Sequence, residues 1–148
     1  MIALDTNVLV YAHRPDLRMH ERAFDVVTEA LGGTAQVGLC WPVLQEFLAV
    51  VTNARIFSVP TPLARAFDQV EHWLASPRAM ALHESANHML TLRRLAVDGR
   101  ATGGALHDAK IAALCLDHGI SELITADRDF SRFPDLRVRN PFVGRRVT

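Results

Sequence analysis

The chain opens Met1-Ile-Ala-Leu-Asp5-Thr-Asn-Val-Leu-Val10-Tyr-Ala-His13, and the fold turns on how Asp5 is read. Ile2, Ala3 and Leu4 form a short apolar run suited to a strand buried on both faces. Val8, Leu9 and Val10 are apolar again. A carboxylate between two core-forming runs is costly unless something pairs with it. One explanation is local: Asp is a favoured helix cap, and a helix beginning near Asn7 would use it. The other is that Asp5 belongs to a site at the carboxyl end of a strand, where open α/β sheets place their ligands.

Working outward, short apolar strands alternate with helical stretches. A helix from about Met19 to Leu31 ends at Gly32-Gly33, and QVGLC reads as a strand. Pro42 suits the first turn of a helix continuing through VLQEFLAVVTNA. Pro60 and Pro62 break the chain, Leu63 to Leu74 is helical again, and AMAL is a strand. Helices from about Ser85 to Val97 and from Ala105 to His118 flank DGRATGG; ELITA is a strand, and LRVRN a last, edge strand. This alternation predicts a mostly parallel sheet in a three-layer α/β/α sandwich. With 148 residues and no linker or repeat, residues 1–148 read as one domain.

Three more acids occupy unusual places. Asp127 ends ELITA as Asp5 ends the first strand, although an Asp there can also simply begin a turn. On a helix from Pro42, Glu46 shares its stripe with Val43, Ala49 and Val50, away from Gln45 and Thr52. Asp108 falls between Ala112 and Cys115, opposite the polar face of His107, Lys110, Asp117 and His118. It also lies in a first helical turn, where the dipole favours an anion. A buried ion pair is the competing explanation, yet the only lysine, Lys110, is on the polar face. If the four carboxylates meet at the carboxyl edge of the sheet, they repel unless protonated or bridged by cations. An all-oxygen ligand set matches Mg²⁺ or Mn²⁺ rather than zinc, and one or two such ions can activate water against a phosphodiester.

Composition adds few constraints. Net charge is zero with neutral histidines, so no global cationic field advertises nucleic-acid binding. Six arginines (Arg128, Arg132, Arg137, Arg139, Arg145, Arg146) crowd the last 21 residues, either as phosphate contacts or as ordinary surface charge. Cys40 and Cys115 sit in apolar settings as reduced core residues. The chain start lacks a secretory signal and no run spans a membrane, so a cytoplasmic protein is expected. His83, His88 and His118 show no metal-ligand spacing, and His107 is a possible substrate contact. A haloacid-dehalogenase-like phosphatase would need a second Asp at position 7, which is Asn; a response-regulator receiver needs a late strand-end Lys, which Lys110 is not.

Taken together, the D-T-N after the first strand, the E-F of LQEF, the H-D-A of GALHDAK and the run TADRDFSRF resemble a PIN domain. More narrowly they resemble the VapC-type ribonuclease toxins of bacterial toxin–antitoxin pairs, over essentially the whole chain. FPDL departs from relatives that often carry glycine third. The resemblance implies an α/β/α sandwich and Mg²⁺- or Mn²⁺-dependent RNA hydrolysis by the quartet Asp5, Glu46, Asp108 and Asp127. Thr6, Asn7 and Thr125 would position it, and Asp129 is the reserve for the fourth acid. It also implies a homodimer bound by a small VapB-type antitoxin. The non-enzymatic alternative is a PIN-like scaffold that binds RNA or protein without cleaving.

Overall fold

A computed structural model describes residues 1–144; Arg145 and Arg146 of the arginine-rich tail lie outside the described residues. β1 (Ile2–Leu4) is the central strand of a five-stranded, all-parallel sheet ordered β3-β2-β1-β4-β5. Its partners are β2 (Val37–Cys40) on one side and β4 (Glu122–Ile124) on the other. β3 (Ala79–Leu82) and β5 (Val138–Arg139) form the edges. β1 and β2 are short and apolar because helices cover both faces of the sheet there, whereas the edge strand β5 is exposed.

The helices are α1 (Thr6–His13), α2 (His20–Gly32), α3 (Trp41–Val51), α4 (Leu63–Leu74), α5 (His88–Asp98) and α6 (Ala105–Asp117). α1 packs on α2 and α3, α3 on α4, and α5 on α6. The connections run one way across the sheet from β1 to β3 and back the other way from β3 to β4. With the usual right-handed crossover this assigns α1–α4 to one face and α5–α6 to the other, the expected three-layer sandwich. Leu4, Leu39, Leu123 and Ile124 from the sheet meet Leu9, Phe47, Ile111 and Leu114 from the helices in one buried core. Cys40 and Cys115 are buried and unbridged; the neighbouring Cys40 thiol, together with burial, pushes Cys115 well above the ordinary thiol range.

Several strands and helices are a residue or more shorter or longer than the sequence reading, and at three boundaries a side chain takes the backbone bond. α1 starts at Thr6 because Asp5 caps it, accepting from Thr6 N at 2.8 Å. α3 stops at Val51 because Asn53 turns the chain, its side-chain oxygen accepting from Arg55 N at 2.8 Å. Residues 85–87 stay outside α5 because the Ser85 hydroxyl accepts from Asn87 N and donates to Asp117. A 3₁₀ helix, Arg128–Arg132, follows β4 and was not anticipated.

Two features fix the sheet's neighbourhood. A Cβ on Gly99, which follows α5, would lie 2.9 Å from the carbonyls of both Arg132 and Leu95, so only glycine lets the 3₁₀ segment approach. Arg139 donates to Glu122 at 2.8 Å and Arg137 lies 3.6 Å from the same carboxylate. Two of the six arginines of the basic tail thus face one acid of β4. No helix among the described residues is long and apolar enough to cross a membrane.

Candidate active site

The chain leaves β1 in one direction to build β2 and β3, then returns to place β4 on β1's other side. The carboxyl ends of β1 and β4 therefore flank the topological switch point, where the loops diverge and leave a crevice. Asp5 N bonds to the carbonyl of Ile124 at 3.0 Å, tying the two strand ends together.

Asp5 is 6% exposed, and each of its oxygens is engaged. Oδ1 accepts from Thr6 N; Oδ2 accepts from Thr125 Oγ1 at 2.6 Å and from Asn7 Nδ2 at 3.1 Å. Asn7 also donates to Thr125 Oγ1 at 3.0 Å and accepts from Ala126 N at 3.0 Å. Thr125 Oγ1 accepts in turn from Asp127 N at 3.0 Å. The two readings of Asp5 are thus both realised: it caps α1, and it anchors a closed hydrogen-bonded ring joining residues 5–7 to residues 125–127.

Glu46 enters from α3. Its Oε2 accepts from Thr6 Oγ1 at 2.8 Å and from His107 Nε2 at 2.9 Å. Asp108 enters from the first turn of α6. Glu46 shares its side of α3 with the exposed Ala49 and half-buried Val50, and Asp108 its side of α6 with the buried Ala112 and Cys115. Both acids are half-buried rather than sunk in the core, because they stand at the rim of a cavity of about 500 Å³. Asp5, Glu46, Asp108 and Asp127 all line this cavity, with Thr6, Asn7 and His107 beside them; the buried Thr125 acts from behind through its hydroxyl. His107, read as a mere possible contact, is in the site because α6 brings it across to Glu46. Its place next to Asp108 was the available signal.

Electrostatics agree with crowding of like charge. Burial chiefly raises the Asp5 carboxyl above its usual range, with Glu46 and Asp127 adding to it and the Thr125 and Thr6 hydrogen bonds opposing. Asp108 is pushed up to about 6, first by burial and then by the neighbouring charges of Asp127 and Asp5. Carboxylate oxygens of Asp108, Asp127 and Asp129 lie within 4.8 Å of one another. Asp127 also caps the 3₁₀ helix, its Oδ1 accepting from Asp129 N at 2.8 Å, while Asp129 is exposed and outside the cavity lining. An all-oxygen cluster in which two acids, Asp5 and Asp108, are held above their normal range is chemically suited to a hard divalent cation, which would replace mutual repulsion with coordination.

The model of the PIN domain family matches residues 2–136. The chain is 41% identical to the VapC ribonuclease Mb2897 of Mycobacterium bovis over 144 residues, covering 97% of each. It is 35% identical to ribonuclease VapC31 of Mycobacterium tuberculosis, covering 95% of this chain and 99% of that one. Among solved structures it resembles VapBC2 from Rickettsia felis bound to a promoter DNA fragment (TM-score 0.69, 20% identity, 95% of this chain and 98% of that one). It also resembles the sarcin-ricin loop cleaving toxin VapC20 of Mycobacterium tuberculosis (TM-score 0.67, 19% identity, 88% and 93%).

Proposed function

This chain belongs to the PIN domain family, among the VapC ribonucleases, and from that premise we propose that it is a metal-dependent endoribonuclease, the toxin of a toxin–antitoxin pair. The observation that carries the proposal is the convergence of Asp5, Glu46, Asp108 and Asp127 on one cavity at the switch point of the sheet. We read residues 1–148 as a single PIN domain built around that cavity.

In this reading the four carboxylates hold Mg²⁺ or Mn²⁺, which when bound lowers the pKa of water and offsets charge on a phosphodiester. The chain's own residues prepare the site. Thr125 and Asn7 clamp Asp5 Oδ2, so its orientation is set before any ligand arrives. Thr6 holds Glu46 on the opposite wall, and Asp127 is fixed through its own backbone N–H. The substrate strand enters with its scissile phosphate facing the acids. Preorganisation of this kind spares the cost of ordering ligands at the moment of reaction.

The partner in this reading is a VapB-type antitoxin, and the toxin is a homodimer. Leu63 and Phe67, exposed on α4, are the kind of apolar surface that association would cover. The deciding experiment is cleavage of RNA by the purified chain, with EDTA, then with Mg²⁺ or Mn²⁺ restored. Cleavage that stops in EDTA, returns with the ion and is absent in Asp5→Asn is the expected result. Activity that persists in chelator would refute the metal mechanism. A chain that binds the ion and RNA yet leaves the RNA intact would favour the non-cleaving scaffold.

A further inference from the structure

The cavity that holds the acids has a second half that hydrolysis does not use. Away from the carboxylates its wall is apolar: Val10 and Tyr11 of α1, Val50 of α3, and Ile56 and Phe57 of the loop after α3. Thr6 and Val10 are one helical turn apart, as are Glu46 and Val50. The acidic and apolar halves are therefore successive turns of the same two helix faces, one continuous surface.

The loop is constructed to present its two side chains. The carbonyl of Asn53 accepts from the backbone N–H groups of Ile56 and Phe57, each at 3.0 Å. The buried Arg14 then fastens the loop, its guanidinium 4.1 Å above the Phe57 ring centroid and donating to the Val59 carbonyl at 2.8 Å. Phe57 is 8% exposed as a result, while its neighbour Ile56 stands 55% exposed at the mouth of a charged site.

The described residues lining this cavity include no arginine and no lysine. Proteins ordinarily grip nucleic acid through phosphates with those cations. The lining offers phosphate no fixed cation, only the hydroxyls of Thr6 and Tyr11, the amide of Asn7 and the imidazole of His107. Contact elsewhere on the nucleotide therefore adds to what the acids and their metal ion hold. Unstacked bases of single-stranded RNA pack against aromatic and apolar side chains, and every base has a face to offer. A cavity of about 500 Å³ has room for a base beside the acids.

The geometry points to the Tyr11, Val50, Ile56 and Phe57 wall as a base-binding subsite: it seats an unstacked base beside the scissile phosphate and thereby selects the linkage that is cut. The inference rests on the ribonuclease reading of the acids.

The test uses the full chain with Mg²⁺ on single-stranded RNA oligonucleotides of mixed sequence, with cut sites mapped. Ile56 is exposed, so Ile56→Ser is expected to fold and to show the same Mg²⁺-induced rise in Tm as the parent. It should raise KM for RNA about tenfold, the scale of losing a stacked base, and broaden the choice of cut site. Ile56→Phe should restore both. Oligonucleotides carrying an abasic residue at each position around the preferred cut complete the cycle. At one position the parent should lose about what Ile56→Ser loses on intact RNA, and the variant should lose little more. Unchanged KM and site choice in Ile56→Ser, or an abasic penalty that adds in full to the variant's, would overturn the subsite and leave the wall to a protein partner. A parent chain that binds Mg²⁺ but cuts no RNA would overturn the ribonuclease reading, and the subsite with it.

Discussion

Oε2 of Glu46 lies 2.9 Å from Nε2 of His107, and the same oxygen receives the Thr6 hydroxyl at 2.8 Å. The His107 and Glu46 side chains are 37% and 41% exposed, and pairs this open to water stabilise by less than about 1 kcal/mol. His107→Ala should therefore change unfolding free energy by no more than that. RNA cleavage should nonetheless fall about tenfold, because Glu46 loses one of its two donors. Denaturant melts and a cleavage assay on the same preparation check both. Full activity would place His107 outside the machinery.

The raised carboxyl of Asp108 sets a pH dependence. In the folded chain it titrates near 6, against about 3.9 in an unfolded chain, so the folded state holds this proton more tightly. Its ionisation costs nothing below about pH 4, costs progressively more up to about pH 6, and costs the full amount above that. Without metal, the stability of the parent relative to Asp108→Asn should fall across that window and level off above it. Added Mg²⁺ at neutral pH should then stabilise the parent more than the variant, since only the intact cluster binds it well. Paired thermal melts measure this; a metal-free Asp108→Asn that melts well below the parent at neutral pH would refute repulsion in the cluster.

Thr125→Val keeps shape and removes the hydroxyl at the centre of the ring. Asp5 Oδ2 loses its 2.6 Å donor, while Asp127 N and Asn7 Nδ2 lose an acceptor. Partners stranded in so buried a place cost about 1–3 kcal/mol. The carboxyl of Asp5 should rise further, since the Thr125 bond is the largest influence holding it down. Metal affinity, read by calorimetry, should drop about 10–100-fold. Parent-like affinity would show that the ring does not orient the acid.

The fourth acid is separable from its neighbour. Asp127 lines the cavity and acts on both Asp5 and Asp108; Asp129 is exposed and acts on Asp108 alone of the two. Asparagine caps nearly as well as aspartate, so Asp127→Asn preserves the 3₁₀ helix. Its cleavage rate should fall about tenfold more than that of Asp129→Asn. The reverse order would transfer the fourth position to Asp129.

Gly99→Ala tests the joint between α5 and the 3₁₀ segment. The added methyl meets two carbonyl oxygens at 2.9 Å, and neither belongs to a side chain that can rotate away. A loss of about 1–3 kcal/mol in a urea melt is expected, with metal affinity retained. A neutral result would show that this joint yields.

The repeating pattern of the sequence carried most of the architecture. α4 and β3 occur at the residues read from their apolar runs, and Pro42 falls in the first turn of α3. The four acids were legible because each broke a local pattern: two at strand ends, two on the apolar side of a helix. Depth was not legible. A stripe gives the direction in which Glu46 points, but the space left between α1, α3 and α6 decides how far it is covered. The His107–Glu46 contact and the Arg14 clamp were hidden for a related reason: each joins residues more than 40 positions apart. The 3₁₀ helix was within reach, because Asp127 before Arg-Asp-Phe-Ser is a cap signal that the sequence reading took as a site residue or the start of a turn. Of the arginine cluster, Arg137 and Arg139 lie beside Glu122, an arrangement that their number in the sequence does not reveal.

The ring around Asp5 also sets a timetable for the chain's own manufacture. Asp5 leaves the ribosome well before its partner, for the hydroxyl that holds it belongs to a residue 120 positions later. At about 5–20 residues per second, the first acid waits many seconds for its partner. Until β4 emerges and docks against β1, the acids of the amino-terminal half have no wall to face. A nascent chain that stops short of Thr125 carries Asp5, Glu46 and Asp108 in its sequence but not the centre they form, so the cavity assembles only after the segment around Thr125 has been made.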